Sequence, residues 1–194
     1  MIAPHLERTL EALADAATRL DLVLVPGFKN SGPEHWQTLW QDLCPAFQRI
    51  AQSRWDNPDI ELWIDAIRGL LAIRQRPAVL IGHSLGALAA ACVADDRHPH
   101  VAGVMLVAPP RPERFEAQDR IPLRPLLVPA TVVASQNDPL QSFSGAHGWS
   151  RTWHAQFVDL GEAGHVNAES GYGRWETGLD LVVRLIGAIT AAGR

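Results

Sequence analysis

The stretch Ala78-Val79-Leu80-Ile81-Gly82-His83-Ser84-Leu85-Gly86-Ala87-Leu88-Ala89-Ala90-Ala91 decides the fold. Its first half is an apolar run with β-branched residues, which is typical of a buried parallel strand. Its second half consists of small residues and leucine, which favour a helix. The Gly-x-Ser-x-Gly pattern between them permits a sharp turn that exposes Ser84 at its tip. Ser84 is therefore a candidate nucleophile; the alternative is a glycine-rich turn whose serine only caps the helix.

Other apolar runs along the chain predict further strands, and helical periodicity predicts helices between them. The predicted strands cover residues 22–25, 47–52, 78–82, 101–108, 131–134 and 156–160. Helices are expected near residues 5–19, 33–43, 58–74, 85–95 and 142–153, with a last one on the apolar stripe from 179 to 189. Strands that alternate with helices predict the α/β class, as a doubly wound, mostly parallel six-stranded sheet flanked by helices.

Two helix starts carry capping signals. Ser31-x-x-Glu34 has the capping-box pattern, and Asn57 before Pro58 predicts an N-cap for the helix that follows. Trp36, Trp40 and Trp63 lie on apolar faces of these helices, so we expect them in the core. Three later tryptophans are less constrained, and we expect one of them to line a pocket: Trp149, Trp153 or Trp175.

The composition limits the classes of partner. A chain of 194 residues with 47% hydrophobic residues predicts one domain, residues 1–194, with its own core. The formal net charge of −4 predicts neither nucleic acid nor an anionic membrane as a partner. The two cysteines, Cys44 and Cys92, lack metal-like spacing, which predicts reduced thiols and no metal. Residues 1–20 lack the apolar run of a signal peptide, so we expect a cytoplasmic protein.

A serine nucleophile needs a neighbouring base, and the base needs a carboxylate to hold it. In this type of fold the chain order is serine, acid, histidine. Asp138 directly follows a predicted strand at the sheet edge that carries sites, although Asp-Pro is also a common turn signal. His165 lies in a glycine-flanked loop after the last strand, at the same edge. The other candidates considered after Ser84 lie at the opposite edge, inside a strand, in the irregular loop or on or beside a helix: Asp95, Asp96, Asp119, Asp159, His98, His100, His147 and His154.

An acyl-transfer site also needs two N–H groups for the oxyanion. Leu85 supplies one, because it follows the nucleophile at a helix N-terminus. The second is expected from Phe28, in the loop after the first strand, where Gly27 allows close approach. His35 could line the mouth of the site, whereas His83 is expected to point away from Ser84.

The chain resembles the α/β-hydrolases, and among them the compact serine hydrolases related to retinoblastoma-binding protein nine, including bacterial members. The resemblance spans about residues 22–187. It rests on Val25-Pro26-Gly27-Phe28, Asn30-Ser31-Gly32-Pro33-x-His35-Trp36, Gly82-His83-Ser84-Leu85-Gly86, Asn137-Asp138-Pro139 and Gly164-His165-x-Asn167. It implies a minimal α/β-hydrolase fold with Ser84 as nucleophile, Asp138 as acid and His165 as base. It also suggests that Gly27, His35 and Asn167 contact the substrate or support these residues.

Two departures from the family pattern stand out. Pro26 occupies the position before Gly27 where many α/β-hydrolases have histidine. The Leu-x-Cys-x-Glu signature of pocket-protein ligands is absent, so the resemblance implies no such partner.

The interval 109–129, where a helical lid is commonly inserted, is too short for a substantial one. Its arginines could attract an anionic substrate, although a solvated loop is the favoured interpretation: Arg111, Arg114, Arg120 and Arg124.

These observations favour a carboxylesterase-like serine hydrolase that cleaves a small ester through an acyl-enzyme, with no cofactor. One alternative is amide or thioester hydrolysis on the same three residues, for instance an aminopeptidase-like activity. The other is a non-catalytic interaction module, against which the intact set of Ser84, Asp138 and His165 argues. The expected partner is a small ester or amide substrate; the oligomeric state cannot be inferred.

Overall fold

The computed structural model describes residues 3–193, in which six parallel strands lie between two layers of helices. The strands are β1 (Asp21–Val25), β2 (Phe47–Arg49), β3 (Ala78–His83), β4 (Val101–Val107), β5 (Ala130–Ala134) and β6 (Gln156–Asp159). The helices are α1 (Pro4–Ala16), α2 (Trp36–Leu43), α3 (Ile60–Ala72), α4 (Leu85–Asp95), α5 (Phe143–Thr152) and α6 (Glu176–Ala192). The predicted α/β class and six-stranded sheet are confirmed, and every strand pair is parallel.

The strand order is β2-β1-β3-β4-β5-β6, so the winding direction reverses between β1 and β3. Val25 at the end of β1 pairs with Gly82 near the end of β3. Open α/β sheets bind ligands at such a reversal, beyond the carboxyl ends of the strands. The turn that follows β3 begins at this point, and it carries Ser84.

The pleat of the central strands divides the core into two layers. In β1, Val23 and Val25 join the cluster beneath α3, α4 and α5, whereas Leu22 and Leu24 join the cluster beneath α1, α2 and α6. This alternation is the period of two that a strand imposes on its side chains. Helices on both faces explain why these strands are apolar on both sides.

The two capping predictions are wrong in detail. Helix α2 begins at Trp36 and is capped by His35, whose Nδ1 accepts a hydrogen bond from the Gln37 N–H at 3.2 Å. Ser31 instead donates through its hydroxyl to the Gln37 side chain, at 2.6 Å from Oε1, and this hydrogen bond replaces the capping box. Helix α3 is capped by Asp59 rather than Asn57, through a 3.0 Å bond from the Glu61 N–H.

The segment 109–129 contains two short 3-10 helices, Pro112–Phe115 and Gln118–Arg120, and forms no large lid. Arg120 pairs with Glu61 of α3, and Arg124 pairs with Asp95 of α4 at 2.7 Å. These two ion pairs therefore hold the segment against helices α3 and α4. Both cysteines are buried with free thiols.

No helix among residues 3–193 combines the length and apolar character needed to cross a membrane.

Candidate active site

Ser84 lies between β3 and α4 in a strained backbone conformation, with φ of 54° and ψ of −126°. Such a conformation costs a non-glycine residue on the order of 1–3 kcal/mol. The turn is tight because α4 packs directly against the loop after β1: a Cβ at Gly86 would collide with the carbonyl oxygens of Val25 and Pro26. Close packing on both sides of the turn thus holds the Ser84 hydroxyl at the C-terminal edge of the sheet.

The three residues predicted to act together are brought together. The Ser84 hydroxyl donates to His165 Nε2 at 2.9 Å. On the other side of the ring, His165 Nδ1–H donates to the Asp138 carboxylate, at 2.9 Å from Oδ2 and 3.0 Å from Oδ1. The side chain of Asp138 is only 3% exposed. A buried carboxylate fixes the imidazole tautomer that leaves Nε2 free to accept the serine proton.

The loops that carry Asp138 and His165 are joined by hydrogen bonds between them. Asn137 Oδ1 accepts from the Gly164 N–H at 2.7 Å, and Ser135 Oγ accepts from the Ala163 N–H at 2.9 Å. The Asp138 carboxylate also accepts from the Leu140 N–H at 2.8 Å. These bonds fix the distance between the two loops, and with it the distance between aspartate and histidine.

Asn167 holds the His165 loop from its far side. Asn167 Oδ1 accepts from the Ser170 hydroxyl at 2.8 Å, and Ser170 Oγ accepts from the His165 N–H at 3.1 Å. Gly164 has a positive φ of 55°, and a Cβ there would meet Ser170 Oγ. Glycine is therefore required before the histidine both by conformation and by space.

Phe28, in the loop after β1, and Leu85, at the start of α4, lie at the same edge of the sheet as Ser84. Among residues 3–193 neither backbone N–H has a hydrogen-bond acceptor in the protein. For Leu85 this follows from its position as the first residue of α4, where the helix offers no acceptor. Gly27 lies against the serine, since a Cβ at that position would be 2.8 Å from Ser84 Cβ. The residues predicted to bind an oxyanion thus adjoin the serine.

Side chains from three elements hold the loop after β1. Trp63 of α3 donates its indole N–H to the Pro26 carbonyl at 2.7 Å. Arg49 of β2 donates to the Ser31 carbonyl at 3.1 Å. The fully buried amide of Gln37 donates to the carbonyls of Val25 and Ile81, at 3.3 and 3.1 Å, and so joins the ends of β1 and β3.

The rings of His35 and His83 pack against one another beneath the site, and His83 also packs against His165. The ring centroid of His83 lies 4.7 Å from that of His35 and 5.0 Å from that of His165. His83 Nε2–H donates to the His165 carbonyl at 2.9 Å, and Trp36 donates to the next carbonyl, that of Val166, at 2.9 Å. His83, expected to point away from Ser84 and to be structural, therefore supports the histidine loop directly.

Burial keeps His35 and His83 neutral. Desolvation, with smaller effects of Arg49 and His165, lowers the pKa of His35 from 6.5 to about 4. Desolvation, with His35 and His165, holds the pKa of His83 well below 6.5. Because His35 Nδ1 accepts a backbone N–H, its proton lies on Nε2, which is buried and has no partner among the described residues. At neutral pH His35 and His83 therefore add no positive charge beneath Ser84.

An open cavity of about 740 Å³ lies above Ser84 and His165. Its apolar wall contains Phe28, Pro58, Phe115 and Leu140, and the Phe28 and Phe115 rings are 6.3 Å apart. Gly27, His35 and Asn167 line it as predicted from the sequence. The charged side chains of its lining are Lys29, Glu34, Arg114 and Glu169.

The seven tryptophans lie elsewhere. Trp36, Trp40 and Trp63 are fully buried, as predicted. The expectation that one later tryptophan lines the pocket is wrong for this cavity, which Trp149, Trp153 and Trp175 do not border. Trp153 is instead fully buried and donates to the Pro122 carbonyl at 2.9 Å.

The residues that sequence reasoning missed are Ser135, Gln37, Trp36 and Trp63 in their roles as hydrogen-bond donors or acceptors to the site loops. Asn137 was quoted only as part of a motif, whereas Asn167 was suggested to contact the substrate or to support the catalytic residues. A polar residue next to a candidate catalytic one was the available signal for Asn137. Ser135 and Gln37 carry no such local signal, because their partners are distant in sequence.

The parallel sheet, the strained serine turn and the chain order of serine, aspartate and histidine define an α/β-hydrolase. The sequence model of the serine hydrolase family matches residues 22–184. The chain therefore belongs to the serine hydrolase family, and the resemblance found from its motifs is confirmed.

Solved structures agree with this assignment. A YdeN-like hydrolase from Pectobacterium atrosepticum is 46% identical, with a TM-score of 0.91 over 94% of this chain and 98% of that one. The ydeN gene product of B. subtilis is 18% identical, with a TM-score of 0.66 over 87% and 99% of the two chains. Est1E from Butyrivibrio proteoclasticus, solved with ferulic acid, is 12% identical, with a TM-score of 0.63 over 90% and 88%. The last two are similar in fold alone. No curated protein matches the chain.

Proposed function

We propose that this protein is a carboxylesterase-type serine hydrolase that cleaves a small ester through an acyl-enzyme on Ser84. The observation that carries the proposal is the hydrogen bond of 2.9 Å between Ser84 Oγ and His165 Nε2, with Asp138 on the other ring nitrogen. A serine hydroxyl is a weak nucleophile, and a base at this distance is what activates it.

In the proposed reaction Ser84 Oγ attacks the ester carbonyl while its proton moves to His165 Nε2. The resulting imidazolium is stabilised by the Asp138 carboxylate. His165 then gives the proton to the departing alcohol oxygen, which leaves the acyl group on Ser84. In the second half a water molecule loses a proton to His165 and attacks the acyl carbon; His165 then returns the proton to Ser84 Oγ as the bond from Oγ to the acyl carbon breaks, and the carboxylic acid leaves.

The negative charge of each tetrahedral intermediate falls on the former carbonyl oxygen. We assign its stabilisation to the N–H groups of Phe28 and Leu85, which have no other acceptor among residues 3–193. Removing one such donor in enzymes of this type costs about 10²–10³ in turnover. Gly27 is assigned to permit the approach of the first loop, Asn167 to hold the His165 loop, and His35 to pack beneath it.

The competing hypotheses predict different outcomes of one experiment. We expect aryl esters of short acids to be hydrolysed, and the matching thioester and anilide to be cleaved more slowly. Preference for the anilide would favour the aminopeptidase-like alternative.

Asp138→Asn should reduce turnover by roughly 10³–10⁴, because the amide allows the wrong histidine tautomer.

Non-additivity provides the control for this experiment. Ser84→Ala and the double variant Ser84→Ala/His165→Ala should lose about the same activity, since the three residues act as a unit. If purified, folded protein cleaved none of the three substrates, the non-catalytic interaction module would be the better hypothesis.

A further inference from the structure

The charges around the cavity are sorted by sign. Lys29 and Arg114 adjoin the two phenylalanines of the apolar wall, Phe28 and Phe115, and the Lys29 ammonium lies 5.5 Å from the centre of the Phe28 ring. Glu169 belongs to the loop of His165, four residues beyond it. Glu34 directly precedes His35, whose ring packs against His83, and His83 in turn packs against His165. Within this lining the cations therefore adjoin the phenylalanines and the anions adjoin the histidines, while Asp59 and Glu116 border a neighbouring cavity with Arg114.

These four charges are available to a ligand. All four residues are exposed at the surface of the cavity. In the part of the chain that the structure describes, none of them forms an ion pair. In this they differ from Arg120 and Arg124 of the same segment, whose charges are taken up by Glu61 and Asp95.

The chemistry of the proposed function assigns the two sides to the two parts of an ester. His165 must protonate the departing alcohol, so the alcohol lies on the histidine side. The carbonyl oxygen points to the N–H groups of Phe28 and Leu85. The acyl chain is then directed along the apolar wall toward Phe115, and its far end reaches the cations.

Resting on the proposed function, we infer that the preferred substrate carries an anionic group at the distal end of a short apolar acyl chain. Phe28 and Phe115 contact the methylene or ring portion, and Lys29 and Arg114 attract the terminal carboxylate. Glu34 and Glu169 disfavour an anion in the alcohol portion. Half-esters of dicarboxylic acids are the simplest compounds with this pattern.

The test compares two 4-methylumbelliferyl esters with the same leaving group and the same number of acyl carbons, the adipate monoester and the hexanoate. The measured quantity is the ratio of kcat/KM for the adipate to kcat/KM for the hexanoate, at low ionic strength. We expect Lys29→Gln and Arg114→Gln each to lower this ratio about threefold, as a partly screened charge pair allows. The double variant should lower it about tenfold, and 0.5 M salt should lower the ratio of the wild type.

Arg8→Gln is the matched control, because it removes one positive charge from the exposed face of α1, outside the cavity. Its ratio should equal that of the wild type. Hydrolysis of both esters with the same ratio in all variants would overturn the inference and leave the proposed function standing. Failure of the wild type to hydrolyse either ester would contradict the proposed function, and the inference with it.

Discussion

Ser84 has a strained backbone conformation, and its hydroxyl is hydrogen-bonded to His165. Its φ of 54° places the hydroxyl within 2.9 Å of His165 Nε2, and the packing of Gly86 against the loop after β1 maintains that conformation. The strain is thus balanced by contacts that a relaxed serine would break. Gly86 is therefore needed both for the turn and for the close approach of the loop after β1.

His35 shows how a single buried residue links the site to stability. Its pKa is lowered to about 4 in the folded protein, whereas an unfolded histidine titrates near 6.5. Between these values the unfolded chain binds the proton and the folded chain does not, so stability falls as the pH falls from 6.5 to 4. Above pH 6.5 the contribution of His35 to the free energy of unfolding no longer changes with pH.

We therefore predict a difference between wild type and His35→Asn. Asparagine keeps a good N-cap for α2 but has no titratable ring. On acidification from pH 7 to pH 4 the wild type should lose on the order of 3 kcal/mol more unfolding free energy than the variant. Urea unfolding at several pH values measures this, and identical pH dependence in the two proteins would contradict it.

At the scale of elements, the buried tryptophans connect helices to the site loops. Trp36 of α2 donates to the Val166 carbonyl, and Trp63 of α3 donates to the Pro26 carbonyl. Trp40, equally buried, donates to the Arg174 carbonyl at 2.8 Å, in a loop that does not line the cavity. A buried indole needs an acceptor, and here the acceptors are backbone groups that helix packing alone would not hold.

Replacing each of these tryptophans by phenylalanine separates packing from positioning. Each variant should lose about 1 kcal/mol or more of stability, since a buried carbonyl loses its donor. Trp63→Phe and Trp36→Phe should also lower kcat about tenfold, because small misplacements of catalytic loops are costly. Trp40→Phe is the control and should keep its kcat. Equal kcat in all three variants would show that the loops need no such anchor.

The segment 109–129 determines how much of an acyl chain the protein covers. The first of its two short 3-10 helices supplies Arg114 and Phe115 to the wall of the cavity, and neither helix closes over it. Each CH₂ that stays in water forfeits about 0.8 kcal/mol of burial. For uncharged esters, kcat/KM should rise over short acyl groups and then level off or decline.

Acetyl, butyryl, octanoyl and palmitoyl esters, assayed below their aggregation limits, measure this dependence. The expected maximum lies at short chains. A continued rise to palmitoyl would require an apolar tunnel, which the open cavity above Ser84 does not provide.

At the scale of the whole molecule, local patterns predicted the sheet and the order of the three site residues. The stretch 78–91 contains its own strand, turn and helix, and Asp138 and His165 each lie in the loop that follows a strand, so their edge was predictable. The strand order, with β1 between β2 and β3, could not be derived from periodicity. The order of the strands depends on which helices pack against each face of the sheet.

The rest of the site depends on contacts between distant segments. Trp36 and Val166 are 130 residues apart, and His83 and His165 are 82 apart, so no local spacing relates them. The capping box at Ser31 failed for a local reason, because Gln37, six residues further on, offered its hydroxyl a buried partner. The sequence thus indicated which residues could react, and the fold determines what holds them.

The most direct test of the central claim, that His165 activates Ser84 as the nucleophile, is the intact mass of the protein after exposure to a fluorophosphonate. The account predicts a single adduct that maps to the peptide containing Ser84, absent from Ser84→Ala and much slower to form in His165→Ala. An adduct that forms equally in folded Ser84→Ala, or no adduct on the wild type, would contradict it.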